Sequence, residues 1–113
     1  MGAWGVEVLE NDSALDAMDN GVSIISMFAS EDPALKLLGV ALVDASINGA
    51  DESIFGLFYD HEDYIKGLAP MENYRSLAIK NLQVVKEDIT SWFEEYRNDR
   101  MALLNRIEKR LAQ

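Results

Sequence analysis

Apolar residues recur along this chain at three- and four-residue spacing far more than in alternation, and that periodicity predicts helices. From Ser13 onward Leu15, Met18, Val22 and Ile25 fall on one side of a helix. Asn20 and Gly21 interrupt it, so either one near-continuous helix runs to about Phe28 with a weak point, or two short pieces meet there. The spacing survives the interruption and favours the first. Asp32 followed by Pro33 is a start signal, an acidic cap with proline at the first helical position. Leu35, Leu38, Leu42 and Ala45 continue that helix until Asn48 and Gly49 stop it. Only Lys36 and Asp44 carry charge between Pro33 and Ile47, which predicts the most buried helix of the fold.

Residues 50–71 are harder to read. Ser53 to Tyr59 can form two turns with Ile54, Phe55 and Phe58 inward, although Gly56 weakens them. Asp60 to Asp63 is too charged to be interior, and Gly67 with Pro70 marks a break. This stretch is expected to be a lid or a contact surface. From Glu72 or Asn73 a helix carries Tyr74, Leu77, Ala78, Leu82 and Val85. Asp88 is expected to cap a short element from Ile89 to Tyr96 that groups Ile89, Trp92, Phe93 and Tyr96. A last helix, from about Asp99 to Leu111, presents Met101, Leu104, Ile107 and Leu111, with Arg106, Lys109 and Arg110 complementing its carboxyl-terminal dipole. The pattern predicts an all-α domain over residues 1–113, a compact array of about five helices.

The amino-terminal stretch MGAWGVEVLENDSALD precedes these helices as a short anchoring arm. Gly2 and Gly5 flank Trp4, so the backbone can turn on both sides of a bulky ring. Asn11, Asp12 and Ser13 offer cap oxygens to the helix that follows. Trp4, Gly5 and Asn11 are expected structural anchors, together with Trp92 at the core rim.

Composition narrows the function classes. The chain has 113 residues, enough for one domain with one core. No cysteine is present, which excludes disulfides, thiolate metal sites and cysteine nucleophiles and accords with an expected cytoplasmic location. No run of 18 apolar residues exists, and the start has neither a basic leader nor a long apolar core, so neither a membrane span nor a secretory signal is expected. Gly2 lacks the serine or threonine four residues on that myristoylation requires, since Val6 stands there.

Twenty acidic residues face ten Lys and Arg, a formal charge of −10. The asymmetry is larger than the total: residues 1–70 carry −11 and residues 71–113 carry +1. Such a field repels nucleic acid and anionic lipid and attracts basic proteins. Arg75, Lys80, Trp92, Tyr96, Arg97 and Arg100 combine basic and aromatic character, but the acidic front half argues against nucleic-acid binding.

Two acidic groups are the candidate sites. Asp12, Asp16 and Asp19 are four and three residues apart and share a helix face. Asp60, His61, Glu62 and Asp63 contain the only histidine, which could serve as a base if a carboxylate oriented it. Asp51 joins them as an acidic surface position. No calcium loop, HExxH, nucleophile elbow or phosphate-cradling glycine motif occurs, so no metal ligands, cofactor or catalytic residues are assigned. The expected function is a small acidic interaction module of inhibitor, immunity or adaptor type that binds a basic protein. The chain is expected to be a monomer or weak homodimer. The alternative is a small-ligand or metal-binding protein, or an enzyme, built on Asp12, Asp16 and His61.

Gly2, Trp4, Gly5, Asn11, Asp12, Ala14 and Asp16 together carry a resemblance to a family of small, mostly bacterial helical proteins of unknown function, which opens Met-Gly-x-Trp-Gly and continues to Asn-Asp-x-Ala-x-Asp. Glu87, Asp88 and Ile89, then Trp92 and Phe93, give a weaker likeness to the family's Ser-Glu-Leu and Leu-Trp positions. The chain departs from the family at Leu9 and Glu10, where a phenylalanine is common before the Asn-Asp pair. The resemblance implies a helical fold, transfers no activity, and points to the Asn11, Asp12 and Asp16 corner as the place of any site.

Overall fold

The computed structural model describes residues 5–113, apart from the side chain of Ser91. The expected ring of Trp4 therefore lies outside the described residues. Among the described residues seven α-helices follow one another: α1 (Asp12–Asp19), α2 (Ile24–Ala29), α3 (Pro33–Asn48), α4 (Glu52–Phe55), α5 (Glu62–Lys66), α6 (Arg75–Glu87) and α7 (Arg97–Leu111). Turns of 3₁₀ helix at Tyr59–His61, Glu72–Tyr74, Ile89–Ser91 and Glu94–Tyr96 link them. No β-strand occurs among the described residues, so the fold is all-α. None of these helices is long and apolar enough to cross a membrane.

Helix α3 is the axis of the molecule. Its Asp32 cap accepts a hydrogen bond from the Ala34 amide at 2.9 Å, Pro33 sits in its first turn, and Gly49 at φ +94° ends it. Every residue from Leu37 to Ser46 is buried. A surface helix shows one apolar stripe, and α3 instead has α1, α2, α5, α6 and α7 packed around it. Each fully buried leucine, such as Leu38 or Leu42, contributes roughly 1.5–3 kcal/mol. Gly39 permits the closest approach, because a Cβ there would fall 2.8 Å from Cε1 of Phe28 and 3.2 Å from Cβ of Met27. Lys36 then ties α2 and α6 to α3, its Nζ donating to the Phe28 carbonyl at 2.6 Å and to Asn81 Oδ1 at 3.2 Å.

The near-continuous helix expected from Ser13 to Phe28 is two helices. Gly21 takes φ +64°, a conformation that glycine adopts without strain, and the Ser23 side chain accepts from the Ser26 amide to start α2 afresh. The element expected from Ile89 to Tyr96 is also broken, into two single turns separated by extended backbone at Trp92 and Phe93. Asp88 makes no cap there because it closes α6 in a turn conformation, φ −95° and ψ 18°, where an N-cap needs extended backbone. Residues 50–71 are short helical pieces with Ile54, Phe55, Phe58 and Ile65 buried. Helix α7 lies against α6 and α3 through Leu104, Ile107 and Leu111, all buried.

Candidate functional site

The amino-terminal segment sets the position of α1. Val8 and Leu9 are buried, and their amides donate to the carbonyls of Ile54 and Phe55, each at 2.9 Å. Asn11, also buried, accepts from the Ala14 amide at 2.8 Å and donates through Nδ2 to the Val8 carbonyl at 3.2 Å. One side chain thus caps α1 and fastens it to the segment before it. Asp12 stands in the first turn, where the helix dipole favours a carboxylate. Asp16 and Asp19 are exposed farther along.

The two acidic groups meet at the end of α1. His61 Nε2 lies 3.1 Å from Asp19 Oδ1, with the histidine largely covered and the aspartate mostly open to solvent. A cleft of about 320 Å³ opens beside this contact. Ala17, Met18, Val22 and Met27 give it an apolar lining, while Asp19, His61 and Tyr64 supply its polar groups. Tyr64 is 53% exposed and Ile25, on the neighbouring α2, is 51% exposed. Asp60, Glu62 and Asp63 are exposed around His61, and Glu62 pairs with Lys66 at 2.7 Å.

Asp51 belongs to a different setting. It caps α4 through the Ser53 amide at 2.9 Å and pairs with Arg106 and Arg110 of α7. Its hydrogen bonds from Ser53, and the two guanidinium groups, hold its carboxyl below the usual range. Asp12 and Asp16 do not line the cleft. Among the described residues, no three His, Asp or Glu side chains converge in a way that could hold a metal ion.

Most of the positive charge is turned inward or paired. Lys86 meets Glu108 at 2.7 Å, Arg75 meets Glu72 at 3.0 Å, and Arg110 Nε lies 2.9 Å from the buried Asp44. Arg97 donates to the Trp92 and Thr90 carbonyls. Among the described residues, Lys80 and Lys109 alone stand exposed without such a partner. Among the described residues, no Lys or Arg is paired with Asp16 or Asp19 of α1 or with Asp60 and Asp63 beside His61, and the acidic field is concentrated there.

A second cluster went unread in the sequence. Arg100 is fully buried, its guanidinium 3.6 Å from the centre of the Trp92 ring. Among the described residues, none of its three nitrogens has a hydrogen-bond partner, nor has Trp92 Nε1. Burial pulls this guanidinium down to about 10, against the attraction of Glu7 and Glu10. The Glu7 amide donates to Glu10 Oε1 at 3.3 Å, and the interaction between the two side chains lowers Glu7 and raises Glu10. The signal was present: Arg100, Leu104, Ile107 and Leu111 follow four- and three-residue spacing, so an arginine occupies the first place of the apolar stripe of α7.

Compared with known proteins, the chain matches no family model, no curated protein and no solved structure. Of the residues that carry the amino-terminal resemblance, Asn11 and Ala14 are buried, Gly5 is half-buried and Asp12 and Asp16 are exposed. The first group builds the corner and the second faces solvent.

Proposed function

We propose that this protein is a small interaction module that binds a basic segment of a partner protein across the cleft between α1 and α5. The observation that carries the reading is the Asp19–His61 contact, which gathers two acidic segments 42 residues apart around one apolar-lined opening. Carboxylates at the rim steer a cationic partner and fix its register. Binding energy would come from the cleft itself, where Tyr64 offers apolar area beside Met18 and Val22. At about 320 Å³ the cleft lies at the small end of ligand pockets and suits one long side chain, a lysine or arginine stem followed by its neighbour.

This arrangement supports docking better than catalysis. His61 has an orienting carboxylate in Asp19, yet no serine, threonine or cysteine lines the cleft to act as nucleophile. The test is a fluorescent peptide alternating Lys or Arg with Leu, titrated at about 50 and 500 mM salt. Binding should weaken at least about tenfold at the higher salt. Amide shifts should centre on Asp19, His61 and Tyr64, and both Asp19→Asn and Tyr64→Ala should weaken binding several-fold. Shifts spread evenly over all acidic residues, or affinity untouched by either variant, would overturn the reading.

A further inference from the structure

We propose that Asn20–Gly21, in the turn between α1 and α2 at the mouth of the cleft, is a self-acting modification site where the asparagine amide converts to a carboxylate. The co-reactant is water. The Gly21 nitrogen attacks Asn20 Cγ, a new C–N bond closes a five-membered imide, and the side-chain nitrogen leaves as ammonia with the proton that Gly21 gives up. Water then opens the imide at either of its carbonyls, its oxygen forming the new carboxylate and one hydrogen returning to the ring nitrogen. The product is aspartate or isoaspartate, with no change of oxidation state. Attack is easiest before glycine, because a residue with a Cβ crowds the nitrogen that must approach.

Two Asn-Gly pairs occur in the chain, Asn20–Gly21 and Asn48–Gly49, and the fold treats them differently. Both pairs are exposed, and both glycines combine a positive φ with open space where a Cβ would stand. The difference lies in what holds the reacting atoms. Asn48 Nδ2 donates to Asp44 Oδ1 at 2.8 Å and to the Arg110 carbonyl at 2.9 Å, so its amide is tied to its own helix and to α7. The Gly49 N–H donates to the Ala45 carbonyl at 3.0 Å. Among the described residues, nothing bonds the Asn20 side chain. The Gly21 N–H donates to the Met18 carbonyl at 3.3 Å, a longer and weaker bond at the end of an eight-residue helix. Attack requires that bond to open and Asn20 to turn about its ψ of 1°, and a helix end is where such opening is least costly. At Asn48 the same motion must also break the ties to Asp44 and Arg110.

Gly21 lines the cleft with Asp19 and His61, so the new carboxylate arises at a rim that is already acidic. Isoaspartate also adds one carbon to the main chain of the turn that sets α2 against α1. The conversion holds whether or not a partner docks there, so its test is independent of the docking reading. The full chain would be kept at about 37 °C and about pH 8 for several weeks, with peptide mass maps reading the gain of about 1 Da as the amide becomes a carboxyl. Chromatography separates the aspartate and isoaspartate products. Asn20 should convert at least about tenfold faster than Asn48 in the folded chain, and the two rates should converge in denaturing urea, where neither side chain is held. In Gly21→Ala, conversion at Asn20 should fall at least about tenfold. If that variant fails to fold, the comparison of folded and unfolded unmodified chain decides alone. Equal rates at Asn20 and Asn48 in the folded chain, an unconverted Asn20, or a difference that persists in urea would overturn the proposal.

Discussion

At the scale of single residues, Asn11 and Arg100 represent opposite kinds of buried polar group. Asn11 is satisfied on both sides of its amide, so removing it leaves the Ala14 amide and the Val8 carbonyl without partners. Asn11→Ala should lower stability by about 1–2 kcal/mol, and Asn11→Asp, which keeps the cap and loses the donor, by less. Urea unfolding midpoints would read both. Among the described residues, Arg100 is held by stacking and charge without hydrogen bonds, which suits a weakly hydrated planar cation. Arg100→Lys keeps the charge but places a strongly hydrated ammonium in the same site, and should destabilise by roughly 2 kcal/mol in the same assay. The first residue was legible in the sequence because Asn-Asp-Ser before an apolar stripe is a cap signature. Arg100 was not, because a charged residue at an apolar position reads as an error in the stripe until the ring that covers it is seen.

Among elements, the long helices were legible in full and the short ones only in part, Ile54, Phe55 and Phe58 being readable as inward but not the limits of their turns, for one physical reason. Helix α3 repeats its apolar spacing over 16 residues, enough turns for a pattern to stand out. Helices α4 and α5, of 4 and 5 residues, bury only Ile54, Phe55 and Ile65, and the local sequence has no room to show a period. The break between α1 and α2 turned on one backbone angle at Gly21, which preserved the spacing on either side of it. Glycine's two roles separate by experiment. Gly39→Ala would push a methyl into Phe28 and Met27, and should cost about 1–3 kcal/mol by prising α2 from α3. Gly21→Ala meets nothing within 4 Å and should cost only the strain of its positive φ, about 1 kcal/mol. A pair of thermal melts distinguishes them, with the larger drop expected at Gly39.

For the whole molecule, charge is the property read most directly from the sequence and placed least directly by it. The count of −11 over residues 1–70 marks where acid is abundant, but the pairing of Asp51 with α7 and the meeting of Asp19 with His61 depend on tertiary packing. The cleft was therefore half legible: both acidic groups stood out, and their juxtaposition required the fold. The uncompensated field also bears on stability. Because self-repulsion of −10 outweighs a few exposed ion pairs, raising salt from about 50 to 500 mM should raise the melting temperature by a few degrees. A fall instead would mean that the surface pairs dominate.

The burial of α3 on nearly all sides has a consequence during synthesis. Asn48, its last residue, is made before any of α6 or α7, and Leu111 follows 63 residues later. At roughly 5–20 residues per second, the ribosome leaves the apolar flank of α3 uncovered for about 3–13 s. A nascent chain paused in that interval should be sticky toward holdase chaperones, and release of the carboxyl-terminal helices should end that stickiness.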